Sequence, residues 1–219
     1  MTLASKNKSK VVVAKYLVTI LLPLVIILAN LIFLVYNIPF QAEIQQKVKS
    51  TLNIDDRIRQ NVRLIHYYQG KELLDHNFYS PQAVNHLKEV KDILTSGQII
   101  FGMSTIVILL MYTIIARAKR YEIIFTATIY GSAICLVFVL LLALGLLVQF
   151  ETFFNILHAA LFKSSSWAFP GDDNLIQVFP AEFFVLFAKQ LSQNIIISAI
   201  TLLIVSIIGK LAFKYQSKQ

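Results

Sequence analysis

Four long apolar runs decide what this chain can become. They occupy residues 16–36, 99–116, 123–150 and 195–213, and their only formally charged residue is Lys210, near the end of the fourth. A hydrocarbon core takes about 17–25 apolar residues as helix, so each run is long enough to cross it. Backbone N–H and C=O groups find no water inside a bilayer, which restricts spanning structure to helices and closed barrels. These runs are continuous rather than alternating, so helix is the form expected. Lys210 can extend its ammonium to the headgroups while its stem stays apolar. The composition agrees: 57% of the 219 residues are hydrophobic and 15% charged, against about a quarter charged in ordinary soluble domains.

The net charge of +8 does not read as a nucleic-acid surface, because the basic residues are not gathered into one patch with interleaved aromatics. They follow topology instead. Residues 1–15, the link 117–122 with its "RAKR", and the C-terminal end from Lys210 onward hold ten basic residues against one acid, Glu122. The other ten share segments 37–98 and 151–194 with eleven acids. Positive-inside bias therefore places both termini and the 117–122 link in the cytoplasm, with 214–219 as a cytoplasmic tail, and turns the two longer loops outward. The first run exceeds a signal-peptide core and no small-x-small cleavage site follows before "YNIPF", so it is expected to stay as an anchor. Pro23 and Asn30 within it suggest a kink and a bond to a neighbouring helix.

The outer loops are expected to hold short helices. In 37–98, Ile44, Val48 and Leu52, then Ile58, Val62 and Ile65, recur at helical spacing. Further on, Ser80 is an N-cap, Pro81 a first helical residue, and Val84, Leu87, Val90 and Ile93 form a stripe leading to the second span. The loop 151–194 is aromatic, and Phe154, His158, Leu161 and Phe162 would share one helical face in a segment suited to the membrane interface. A break is expected at "KSSSW", Trp167 suits an aromatic belt, and Asp172 and Asp173 suit a turn. Whether Phe183–Gln190 lies on the membrane or extends the fourth span stays open.

The residues able to do chemistry are few. Cys135 is the only cysteine, which excludes an internal disulfide. The four histidines, His66, His76, His86 and His158, all fall in the outward loops, without metal-ligand spacing. There is no GxSxG elbow and no phosphate-binding glycine loop. His66 reads as a helix residue and His76 as a solvated loop residue. His86, in "NHLKEVKD", has Glu89 one turn later, a pair that fits either imidazole orientation or an ordinary solvated face. His158 reads equally as a structural histidine or as a base, since burial beside lipid favours the neutral ring.

Three motifs in order, "HLKEV", "FFNILHAALFKSSSWAF" and "DNLIQVFPAEFF", give the chain a family resemblance over nearly its whole length. It resembles a bacterial four-span integral membrane family that includes the lipoprotein intramolecular transacylases. Leu157 stands where a phenylalanine would be expected, and Glu89 where aspartate is common. The resemblance implies an all-α membrane protein of the cytoplasmic membrane, with its active site facing outward. It implies an enzyme that needs no cofactor and no metal, whose partners are diacylglyceryl lipoproteins and membrane lipid. The reaction implied moves an acyl chain from the glycerol ester to the α-amino group of the lipidated N-terminal cysteine. The family histidines map to His86 and His158, with His158 as general base and His86 polarising the ester or relaying the proton. Phe154, Phe162, Trp167, Glu89 and Asp173 would contact substrate. The competing class is a non-enzymatic sensor or small transporter subunit. Nearly uncharged spans weigh against transport, and a sensor would need a partner, because the cytoplasmic parts are too short for an output domain.

Overall fold

The computed structural model describes residues 3–162 and 167–216; the break expected at "KSSS" lies outside them. The described residues form seven helices and no strand: α1 (Leu3–Val35), α2 (Ile38–Lys47), α3 (Ile54–Tyr68), α4 (Pro81–Arg117), α5 (Tyr121–Leu161), α6 (Asn174–Val178) and α7 (Ala181–Gln216). Four of them, α1, α4, α5 and α7, contain stretches long and apolar enough to cross a membrane. The chain is an all-helical integral membrane protein. It divides into two compact units, one of residues 1–30, 99–141 and 192–219, the other of 31–98 and 142–191.

The first unit is a bundle built as membrane bundles must be. Its outward side chains are apolar, with Ile106, Leu109, Val137 and Ile208 all exposed. Lipid is as apolar as leucine, so association rests on close packing and on hydrogen bonds between helices. Gly131 supplies the close approach. A Cβ there would stand 3.0 Å from Leu22 and 3.2 Å from the Thr19 carbonyl oxygen. That carbonyl is the one Pro23, lacking an N–H, leaves without its usual i+4 donor. Asn30 bonds across the bundle as its position in the first run suggested, its Nδ2 donating to Ser198 Oγ at 3.3 Å and to Ile26 O at 2.8 Å. Tyr112 and Thr128 share a hydroxyl bond of 2.7 Å.

The second unit is assembled from capped short helices. Asn37, Asn53 and Asp173 cap α2, α3 and α6, accepting from Phe40 N, Asp55 N and Leu175 N. Ser80 caps α4, accepting from Ala83 N at 3.2 Å, with Pro81 as its first residue. Gly70, at φ 74°, lets the chain turn away from α3 as Lys71 N bonds back to His66 O. The core gathers Leu64, Leu74, Tyr79, Ala83, Val84, Leu87 and Leu175.

The buried face of α3 differs from the apolar stripe read in the sequence. It holds Arg57, Gln60, Asn61, Leu64 and Ile65, while Ile58 and Val62 are only half-buried. Polar partners on α2 make this rotation affordable in free energy. Asn61 donates to Gln41 Oε1, Arg57 donates to Val48 O at the end of α2, and Gln45 donates to Val178 O.

Helix length leaves the polar turns room beyond a spanning stretch. At about 1.5 Å per residue, the 37 residues of α4 far exceed a core of about 30 Å. Residues 81–98 carry Lys88, Glu89, Lys91 and Asp92, whereas 99–116 carry no charge, so the charge lies in the first five turns and the later turns are the part apolar enough to span. Likewise α7 runs without a break from Ala181 through the apolar run, so Phe183–Gln190 are its first turns. The long α5 is broken at Gln149, whose φ −150° and ψ 68° are not helical. Residues 150–161 follow as a separate piece.

Candidate active site

The site lies in the second unit, on the first turns of α4 and on the piece of α5 that follows Gln149. Ala83 and Leu87 are locked in the core, which carries His86, on the same side of α4, to a position only 8% exposed. On 150–161, Phe150, Phe154 and His158 repeat at four-residue spacing, and Phe162 continues the series just beyond the helix. Leu161, expected on the same face, is instead exposed.

The two histidine rings face each other, their centroids 6.3 Å apart and their planes 25° from parallel. Phe162 sits against both, 4.5 Å from His86 and 5.4 Å from His158. Phe154 lies 3.8 Å from His158, Trp167 lies 5.2 Å from it, and Phe169 lies 5.6 Å from His86. Five residues singled out in the sequence, His86, His158, Phe154, Phe162 and Trp167, therefore meet in one cluster. Phe169 was missed, because "WAFPG" contains no signal separating it from any other interfacial aromatic.

Hydrogen bonding distinguishes the two rings. His158 Nδ1 lies 2.8 Å from Phe154 O, one helical turn back. A carbonyl only accepts, so the neutral ring carries its proton on Nδ1, and Nε2 presents a lone pair. His86 Nδ1 is buried without a partner. An orphaned buried N–H is rarer than an orphaned acceptor, which assigns the His86 proton to Nε2, the nitrogen left able to meet a ligand. One imidazole thus offers an acceptor and the other a donor.

Both rings are held neutral. Burial lowers the His86 pKa to about 4, and the neighbouring His158 adds to the shift. Burial also lowers His158, against the opposing effect of its bond to the Phe154 carbonyl. Glu89 lies one turn beyond His86 and is half-buried. It does not orient that ring through Nδ1, which has no partner. Asp173 serves the scaffold: Oδ1 accepts from Leu175 N and Oδ2 from Ser80 Oγ, both at 2.8 Å, which ties the cap of α6 to the cap of the helix bearing His86. The remaining histidines lie outside the cluster. His66 pairs with Glu72 at 2.8 Å, and His76 is exposed. Among the described residues no three His, Cys, Asp or Glu side chains form a group able to hold a metal ion.

A family model described as lipoprotein intramolecular transacylase Lit matches residues 12–184. Among solved structures, the chain is similar to the membrane integral lipoprotein intramolecular transacylase Lit from Bacillus cereus, with a TM-score of 0.72 and 21% identity over 98% of this chain and 99% of that one. A structure of that protein with one histidine replaced by alanine matches with a TM-score of 0.73 and 19% identity, over 98% of this chain and 100% of that one. No curated protein sequence matches the chain.

Proposed function

The chain belongs to the lipoprotein intramolecular transacylase Lit family, and from that premise we propose how its paired histidines carry out the transfer. The protein is a membrane transacylase that moves an acyl chain from the diacylglyceryl ester to the α-amino group of a lipoprotein's N-terminal cysteine, leaving the lyso-form. The observation that carries the assignment of roles is the opposed hydrogen-bond state of two facing neutral imidazoles.

His158 is the general base. The α-ammonium, with an ordinary pKa of about 7.7–8.0, first releases one proton to solvent to give the neutral amine, and the His158 Nε2 lone pair takes an N–H proton from that amine as it attacks. The amine nitrogen attacks the ester carbonyl carbon and a C–N bond forms. His86 Nε2–H donates to the carbonyl oxygen as negative charge develops there. When the C–O bond to glycerol breaks, the protonated His158 returns its proton to the departing glycerol oxygen. Atoms and protons balance without a co-reactant. Amine and ester belong to one molecule, so the enzyme gains most by holding them together. Phe154, Phe162 and Trp167 form apolar walls that contact the lipid and keep water from competing with the amine. Glu89 and Asp173, assigned to substrate contact by resemblance, act in this proposal beside the site and in holding α4 against α6.

The charge distribution supports a cytoplasmic-membrane protein with its termini inside and this site facing outward. The decisive experiment is His158→Ala, followed by mass spectrometry of a lipoprotein's N-terminal peptide. Loss of the lyso-form is expected. Its continued formation at the wild-type rate removes His158 from catalysis.

A further inference from the structure

The aromatic surface that begins at His158 extends beyond the histidine pair. Phe154, 3.8 Å from that ring, also meets Phe150 at 5.6 Å and Phe184, in the first turn of α7, at 5.4 Å. On the other side of the pair, Phe169 is packed onto the core of Leu64, Ala83 and Leu87. That direction is filled by the protein itself. Phe150 and Phe154 are half-buried, and Phe184 is anchored beside Phe183, Ile44 and Val48. The helical piece that carries them exposes Ile156, Leu157 and Leu161. An apolar piece of this kind suits contact with lipid rather than water.

We propose that Phe154 and Phe184 form the seat of the migrating acyl chain, which leaves the carbonyl at the histidines and lies across these two rings. This rests on the transacylase reading and adds to it a determinant of chain length. A carbonyl carbon held at the two histidines begins its alkyl chain at Phe154, the ring nearest to His158. Phe184 is the next surface and rests on a rigid helix start. The chain moves from one apolar medium to another, so no hydrophobic gain is available for binding. The seat works by orientation. It fixes the ester carbonyl against both imidazoles, where a misplacement of about 1 Å costs about a hundredfold in rate. A chain too short to reach Phe184 gains nothing from that ring.

The test uses the purified full-length protein in detergent micelles and two synthetic glyceryl-cysteinyl lipopeptides, one dihexadecanoyl and one dibutanoyl, with N-acyl product read by mass spectrometry. Phe184→Ala is expected to lower kcat/KM for the long-chain substrate about tenfold and to leave the short-chain value within about twofold. Phe184→Leu, which keeps apolar volume, is expected to recover most of the long-chain rate. Short-chain turnover also reports that the variant is folded. Equal loss on both substrates, or no loss on either, overturns the seat while the transacylase stands. A wild-type protein that forms no N-acyl product from either substrate overturns the transacylase reading, and the seat with it.

Discussion

His86→Phe should separate stability from activity, because the two depend on different atoms of the same ring. The ring is 8% exposed and packed 4.5 Å from Phe162 and 5.6 Å from Phe169. A phenyl group keeps these contacts and is one ring atom larger than the imidazole. It also removes Nδ1, a buried polar atom with no partner, and an unsatisfied group of this kind costs about 1–3 kcal/mol. The variant should therefore be as stable as the wild type or more so, by about 1 kcal/mol, which is about 2–4 °C in Tm for a chain of this size. Activity should move the other way. The substitution deletes the Nε2–H donor proposed to meet the developing oxyanion, and loss of one such donor costs about 10²–10³ in kcat. The assay pairs thermal unfolding in detergent with initial rates of lyso-form production by mass spectrometry. Turnover within about threefold of wild type would refute the oxyanion role. A fall in Tm of several degrees would refute the assignment of Nδ1 as an orphan.

Other outcomes test the surrounding argument. The folded-state pKa of His86 is lowered to about 4 and that of His158 is lowered as well. Between the ordinary value of about 6.5 and these lower ones, the unfolded chain binds more protons than the folded one. Stability should thus be independent of these groups above pH 6.5 and decline as pH falls toward 4; a flat Tm across that window contradicts neutral buried rings. Asp173→Ala removes the α6 cap and the bond to Ser80 Oγ, and a loss of about 2 kcal/mol is expected, read as a lower unfolding midpoint. For orientation, a membrane-impermeant maleimide on intact cells should label Lys71→Cys and spare Arg120→Cys. Cys135 is buried and gives little background. The reverse pattern would invert the topology.

Much of this protein could be read from one dimension because its solvent is simple. Hydrocarbon forbids unpaired backbone and charge, so the long uncharged runs were bound to become helices wherever the rest of the chain went. Caps are similarly local: Ser80 before Pro81 needs only neighbours within a turn. The motifs also marked His86 and His158 as a pair. Tertiary structure decided what periodicity alone could not. Which face of α3 is buried depended on Gln41 and Gln45 on another helix, so the stripe through Ile58 and Val62 gave way to one containing Arg57 and Asn61. That Asp173 ties the cap of α6 to the cap of α4 depended on Ser80, far away in sequence. Above all, the different hydrogen-bond states of two identical side chains were invisible in their flanking residues. One Nδ1 finds the carbonyl one turn back on its own helix, whereas the other is enclosed without a partner among Phe162 and Phe169, and only the packing around α4 determines that enclosure.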